Sequence, residues 1–186
     1  MQMRQSPHKL FLIASLLSGL GSSLSVAIPP VALLFPGLFF GLALAYAANR
    51  TILPLSTGQK VAIVSGTTIA YLLAILTSLL SMRVVGIGNS FEASAIPLGS
   101  AGGVGGLLIA LTLAVLFEEF RLAVCIVSIS IIGFFGGILF AVIATYVLDN
   151  MFAILVLFPL WQVAVASTIA FLHSQNLARY NAATDL

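Results

Sequence analysis

Apolar residues run through this chain in blocks of about twenty, and polar residues collect between the blocks rather than alternating within them. Six blocks stand out, at about 10–28, 30–48, 60–82, 98–117, 122–148 and 151–173. Each is long enough to cross the hydrocarbon core of a bilayer as a helix, which takes about 20 apolar residues. Pro29-Pro30 divides the first two blocks, because two prolines cannot continue a hydrogen-bonded helix. The pattern predicts an all-α, polytopic integral membrane protein: one domain, residues 1–186, of six transmembrane helices. Short connections at 49–59, 118–121 and 149–150 make consecutive helices antiparallel neighbours. The segment 83–97 reads as the longest loop.

Composition agrees with this picture. Of the residues, 61% are hydrophobic and 6% charged, and mean hydropathy is +1.20. Soluble domains carry about 25% charged residues, so this chain cannot cover a water-facing surface. "MQMRQSPHK" followed by "LFLIASLLSGL" and "SVA" has the layout of a secretory signal; the segment is read here as the first transmembrane helix. With the N-terminus inside, Arg4, Lys9, Arg50, Lys60, Arg121 and Arg179 fall on the cytoplasmic side and only Arg83 outside. Cationic loops stay in the cytoplasm, so both termini are expected there, in a cytoplasmic (inner) membrane. A net charge of +2 without a basic tract gives no reason to expect nucleic acid as a partner. The single cysteine, Cys125, allows neither an internal disulfide nor a cysteine-based metal site. No cofactor and no metal are expected.

Glycine and alanine recur at spacings of three and four in the fourth and fifth blocks. Gly99, Gly103, Gly106, Ala110 and Ala114 form one such row, and Ser130, Gly133, Gly137, Ala141 and Ala144 the other. Small residues let membrane helices pack closely where no hydrophobic drive exists between them. Gly99, Gly103, Gly106, Gly133 and Gly137 are therefore read as a helix-packing, glycine-zipper seam. Residues 99–108, "GSAGGVGGLL", also resemble the fourth-helix segment of rhomboid intramembrane proteases, whose motif is G-x-S-G. In that alignment Ala101 occupies the nucleophile position, and His173 lies at the end of the sixth block rather than deep within it. "EEFR" at 118–121 is similar to the E-E-x-x-x-R of CAAX-type intramembrane proteases, but position 123 is Ala123. No catalytic pair is assigned, and the chain is read as non-enzymatic. Glu118, Glu119 and Arg121 mark a cytoplasmic turn that would suit a partner.

The sixth block contains "FPLWQ". Pro159 removes a backbone hydrogen bond near Leu155, and Trp161 and Gln162 follow near mid-depth. Broken helices with mid-membrane polar groups form many transporter sites. With Thr67, Thr68 and Tyr71 of the third block, Gln162 and Trp161 make the candidate ligand-binding set. No Asp, Glu, Lys or Arg lies in the middle of a span, which argues against proton-driven coupling. The six-span, N-inside layout resembles in architecture the substrate-binding subunits of energy-coupling-factor transporters. Two functions are expected on these grounds. One is a transport protein, or transporter membrane subunit, for a neutral or amphipathic small molecule. The other is a structural or assembly subunit that meets other membrane subunits, or copies of itself, in the lipid bilayer.

Overall fold

A computed structural model describes residues 7–26, 28, 34–85, 91–117, 122–146 and 150–184. Six helices account for nearly all of them: α1 (Pro7–Val26), α2 (Phe35–Thr51), α3 (Thr57–Val85), α4 (Phe91–Leu116), α5 (Leu122–Tyr146) and α6 (Asn150–Thr184). Each helix packs on its sequence neighbours, and α1 closes the ring by packing on α6. Four segments are each long and apolar enough to cross a membrane: Thr57–Val85, Ala93–Leu116, Leu122–Tyr146 and Ile154–Asn176. α1 and α2 are shorter, at 20 and 17 residues. Large apolar side chains cover the outside of the bundle; Leu17, Leu24, Phe135 and Val115 are 62–80% exposed. A surface of that kind is stable against hydrocarbon and not against water.

Helix boundaries differ from the expected spans where proline decides them. α2 begins at Phe35 instead of residue 30, which puts Pro36 in the first turn, where no backbone N–H is needed. α3 and α4 absorb most of the expected loop: residues 83–85 end α3, and 91–97 open α4 with Pro97 inside the helix. Those residues have packing partners, which outweighs the proline. Phe91 meets Tyr146 of α5 with ring centroids 6.1 Å apart, and Ala95 is buried. Between α2 and α3, Ser56 and Gln59 form a capping box. The Gln59 N–H donates to Ser56 Oγ at 3.2 Å, and the Ser56 N–H donates to Gln59 Oε1 at 3.0 Å.

The closest helix contact is between α4 and α5. Gly102 faces Gly133 backbone to backbone, and a Cβ placed at Gly106 would stand 2.5 Å from the Ile129 carbonyl oxygen. Gly137 packs in the same way against Leu98 and Gly99. Contacts this short bring Cα–H groups onto carbonyls and maximise dispersion.

The two halves of the bundle are packed differently. In the half that holds the start of α1 and the end of α6, Phe11, Leu44, Ile63, Phe117, Ile129 and Ile169 are almost fully buried and form a continuous core. The other half is built from the N-terminal parts of α2, α4 and α6 and the C-terminal parts of α3 and α5. It contains a cavity.

Candidate site: an apolar cavity in one half of the bundle

The cavity has a volume of about 330 Å³ and is partly enclosed, toward the lower end of the size range of small-molecule pockets. Five helices line it. α2 contributes Pro36, Gly37 and Phe40, and α3 contributes Thr67, Tyr71, Ala74, Ile75, Ser78 and Leu79. From α4 come Leu98, Ala101, Gly102, Gly105 and Ile109, and from α5 Gly137 and Phe140. α6 completes the wall with Ile154, Leu157, Phe158, Trp161 and Gln162. α2 starts only at the level of Thr68 and Tyr71, on which Gly37 packs. The side chains of Tyr71 and Phe158 meet between α3 and α6, ring centroids 6.0 Å apart.

Pro159 sets the α6 wall. Because its ring nitrogen has no proton, the carbonyl one turn back, at Leu155, loses its helical donor. Ser23 of α1 stands in: its Oγ is 3.1 Å from the Ile154 carbonyl oxygen and 3.4 Å from that of Leu155. The same hydroxyl is 3.0 Å from the Gly19 carbonyl of its own helix, so one proton is shared among three acceptors. Close contact makes this possible, since Gly19 lies directly against the Pro159 ring.

One turn further along α6, Gln162 is 1% exposed and engages α1 on both sides of its amide. Ser18 Oγ donates to Gln162 Oε1 at 2.6 Å, and Gln162 Nε2 donates to Ser22 Oγ at 2.9 Å. Ser22 in turn donates to the Ser18 carbonyl at 2.8 Å. The amide head thus points away from the cavity. The Trp161 ring packs on Phe40 with centroids 5.6 Å apart, and its Nε1 is buried with no partner among the described residues. Beside it on α5, a Cβ at Gly136 would stand 2.7 Å from Trp161 Cδ1.

Of the residues singled out from sequence, Gln162, Trp161, Thr67 and Tyr71 reach the cavity wall. Thr68 does not; its hydroxyl donates to the Val64 carbonyl at 2.8 Å and its Cα lies under Gly37. Thr67 also turns its hydroxyl onto its own helix, 2.9 Å from the Ile63 carbonyl. All five glycines lie along the α4–α5 contact: Gly106, Gly133 and Gly137 meet backbone of the facing helix, while Gly99 and Gly103 meet chiefly the Phe134 side chain of α5. Glu118, Glu119 and Arg121 lie outside the described residues. Sequence reasoning passed over the α1 serines, Gly102 and Gly136. The serines did carry a signal: Ser15, Ser18, Ser22 and Ser25 follow one another at three, four and three residues, a single helix face, and all are buried.

Among the described residues, no charged side chain lines the cavity. Among the described residues, no group of three His, Cys, Asp or Glu side chains could hold a metal ion. The described wall is apolar apart from Thr67, Tyr71, Ser78, Trp161 and Gln162, and suits a predominantly apolar molecule. Comparison with protein-family models, with curated proteins and with solved structures finds no match.

Proposed function

We propose that this protein binds a neutral, predominantly apolar small molecule in the cavity, as a transport protein or the membrane subunit of one. The observation that carries the reading is the contrast between the two halves. One is packed solid, while the other keeps a cavity lined by five helices with no Asp, Glu, Lys, Arg or His among the described residues of its wall. Burying an unpaired charge there would cost far more than apolar contact returns, so the ligand is neutral. Under the positive-inside orientation the hollow half lies toward the outer face of a cytoplasmic membrane.

The test is extraction of the protein after purification in mild detergent, with mass spectrometry of what is released. Ala101 lines the cavity, and Ala101→Phe fills part of it. The wild type is expected to release a neutral apolar compound in stoichiometric amount and the variant to release little. Equal recovery from both would assign the compound to the lipid-facing surface and refute the reading.

A second reading, as an assembly subunit, draws on a lipid-facing groove between α4 and α5. It is lined by Gly103, Val104, Leu107, Ser130, Ile131 and Phe134, and the Ser130 Oγ is buried with no partner among the described residues. Light scattering on the solubilised particle separates the readings. Assembly predicts a complex that Leu107→Trp dissociates; a single chain throughout counts against it.

A further inference from the structure

We propose that the ligand is a neutral amphiphile whose oxygen function, a hydroxyl or a carbonyl, is held by the hydroxyls of Tyr71 and Ser78 on α3, with its apolar body in the buried end of the cavity. This rests on the binding reading above and narrows its ligand class. Serine and threonine in a helix can satisfy their hydroxyls on the carbonyl one turn back. On α3, Ser65, Thr67, Thr68 and Thr77 all do so, at 2.7–2.9 Å. Ser81 is paired with Ser100 of α4, the two oxygens 3.1 Å apart. Tyr71 and Ser78 are different: both line the cavity, and neither hydroxyl has a hydrogen-bond partner among the described residues. Unlike the occluded Trp161 Nε1, neither oxygen is sealed within the packing. The amide of Gln162 is already tied to Ser18 and Ser22.

Two helical turns separate Tyr71 from Ser78, about 10 Å of rise, so both stand on one face of α3. Burial is graded along the same wall. Phe40, Thr67, Ile109 and Gln162 are 2% exposed or less, whereas Leu79, next to Ser78, is 55% exposed. A ligand lodged with its apolar part against Phe40 and Ile109 therefore carries its oxygen toward Tyr71 and Ser78. Hydroxyls donate as well as accept, so alcohols and carbonyl compounds meet the same requirement, an acceptor oxygen.

A matched pair of probes tests the proposal: methyl hexyl ketone, and the alkene in which a methylidene carbon replaces the ketone oxygen. The two have nearly the same shape, and only the ketone accepts a hydrogen bond. Binding is measured by equilibrium dialysis with gas chromatography in one detergent, so that micelle partitioning cancels between wild type and variant. Tyr71→Phe and Ser78→Ala each remove a single oxygen and keep the packing, including the aromatic ring against Phe158. Each is expected to weaken the ketone about three- to tenfold, as loss of one hydrogen bond does, and to leave the alkene within about twofold. The double variant is expected to lose more than either single. Equal losses for both probes, or an unchanged ketone in the double variant, would overturn the proposal while leaving the cavity as a binding site. Ala101→Phe tests the binding reading separately: it is expected to weaken both probes alike. Undiminished binding of both would place them outside the cavity and overturn that reading as well.

Discussion

At the scale of single residues, Gln162 joins α6 to α1 through its amide. With both ends of that amide tied to serines, Gln162→Leu removes two interhelical hydrogen bonds and takes away the acceptor of the Ser18 hydroxyl, while Ser22 keeps its bond to the Ser18 carbonyl. Such bonds in membranes are worth about 1 kcal/mol each, so the substitution is expected to cost about 1–2 kcal/mol of stability. Unfolding in mixed micelles of increasing SDS content measures it. Ser18→Ala combined with Gln162→Leu is expected to cost less than the sum of the two singles, because the residues share a bond. Full additivity would contradict the network. From sequence, the same glutamine reads as a ligand-binding residue. A buried amide needs partners, but sequence alone does not identify them, and serines are easily discounted because they often bond their own backbone. Ser18 donates across to α6, and Ser22 accepts from Gln162 while it bonds its own backbone.

Among elements, the α4–α5 contact separates two glycines that look alike in sequence. A Cβ at Gly133 would strike the Gly102 carbonyl, whereas one at Gly103 would lie 3.6 Å from the Phe134 Cβ, an ordinary contact. Gly133→Ala is therefore expected to destabilise the hairpin by about 1–3 kcal/mol, the usual range for forcing extra atoms into a packed contact. Gly103→Ala is expected to be close to neutral. The same SDS titration reads both, and equal costs would mean that the helices meet along a different face. The six-helix layout was legible because blocks of about twenty apolar residues have few alternatives. The seam was legible only in part. α4 carries glycine at 99, 102, 103, 105 and 106, which puts small residues on nearly every face, and the ridge of α5 selects among them. Boundaries at Pro36 and Pro97 were missed in opposite directions. Pro36 fits a first turn and starts a helix; Pro97 sits within one because Phe91 and Ala95 have packing partners upstream of it.

For the molecule as a whole, the solid half and the hollow half define the account, and this division was not legible in the sequence. Both halves are drawn from the same apolar blocks, and a cavity depends on where five helices diverge, not on the period of any one. The chain's only tryptophan lines that cavity, so its emission reports the state of the cavity without labelling. The most direct measurement is quenching of Trp161 fluorescence by a brominated alkane, titrated into the wild type and into Ala101→Phe in the same detergent. The account predicts quenching that saturates in the wild type and falls to a shallow, linear dependence when the cavity is filled. Linear quenching of equal slope in both proteins would mean that the alkane reaches Trp161 only from the surrounding detergent, and would contradict a ligand site in the bundle.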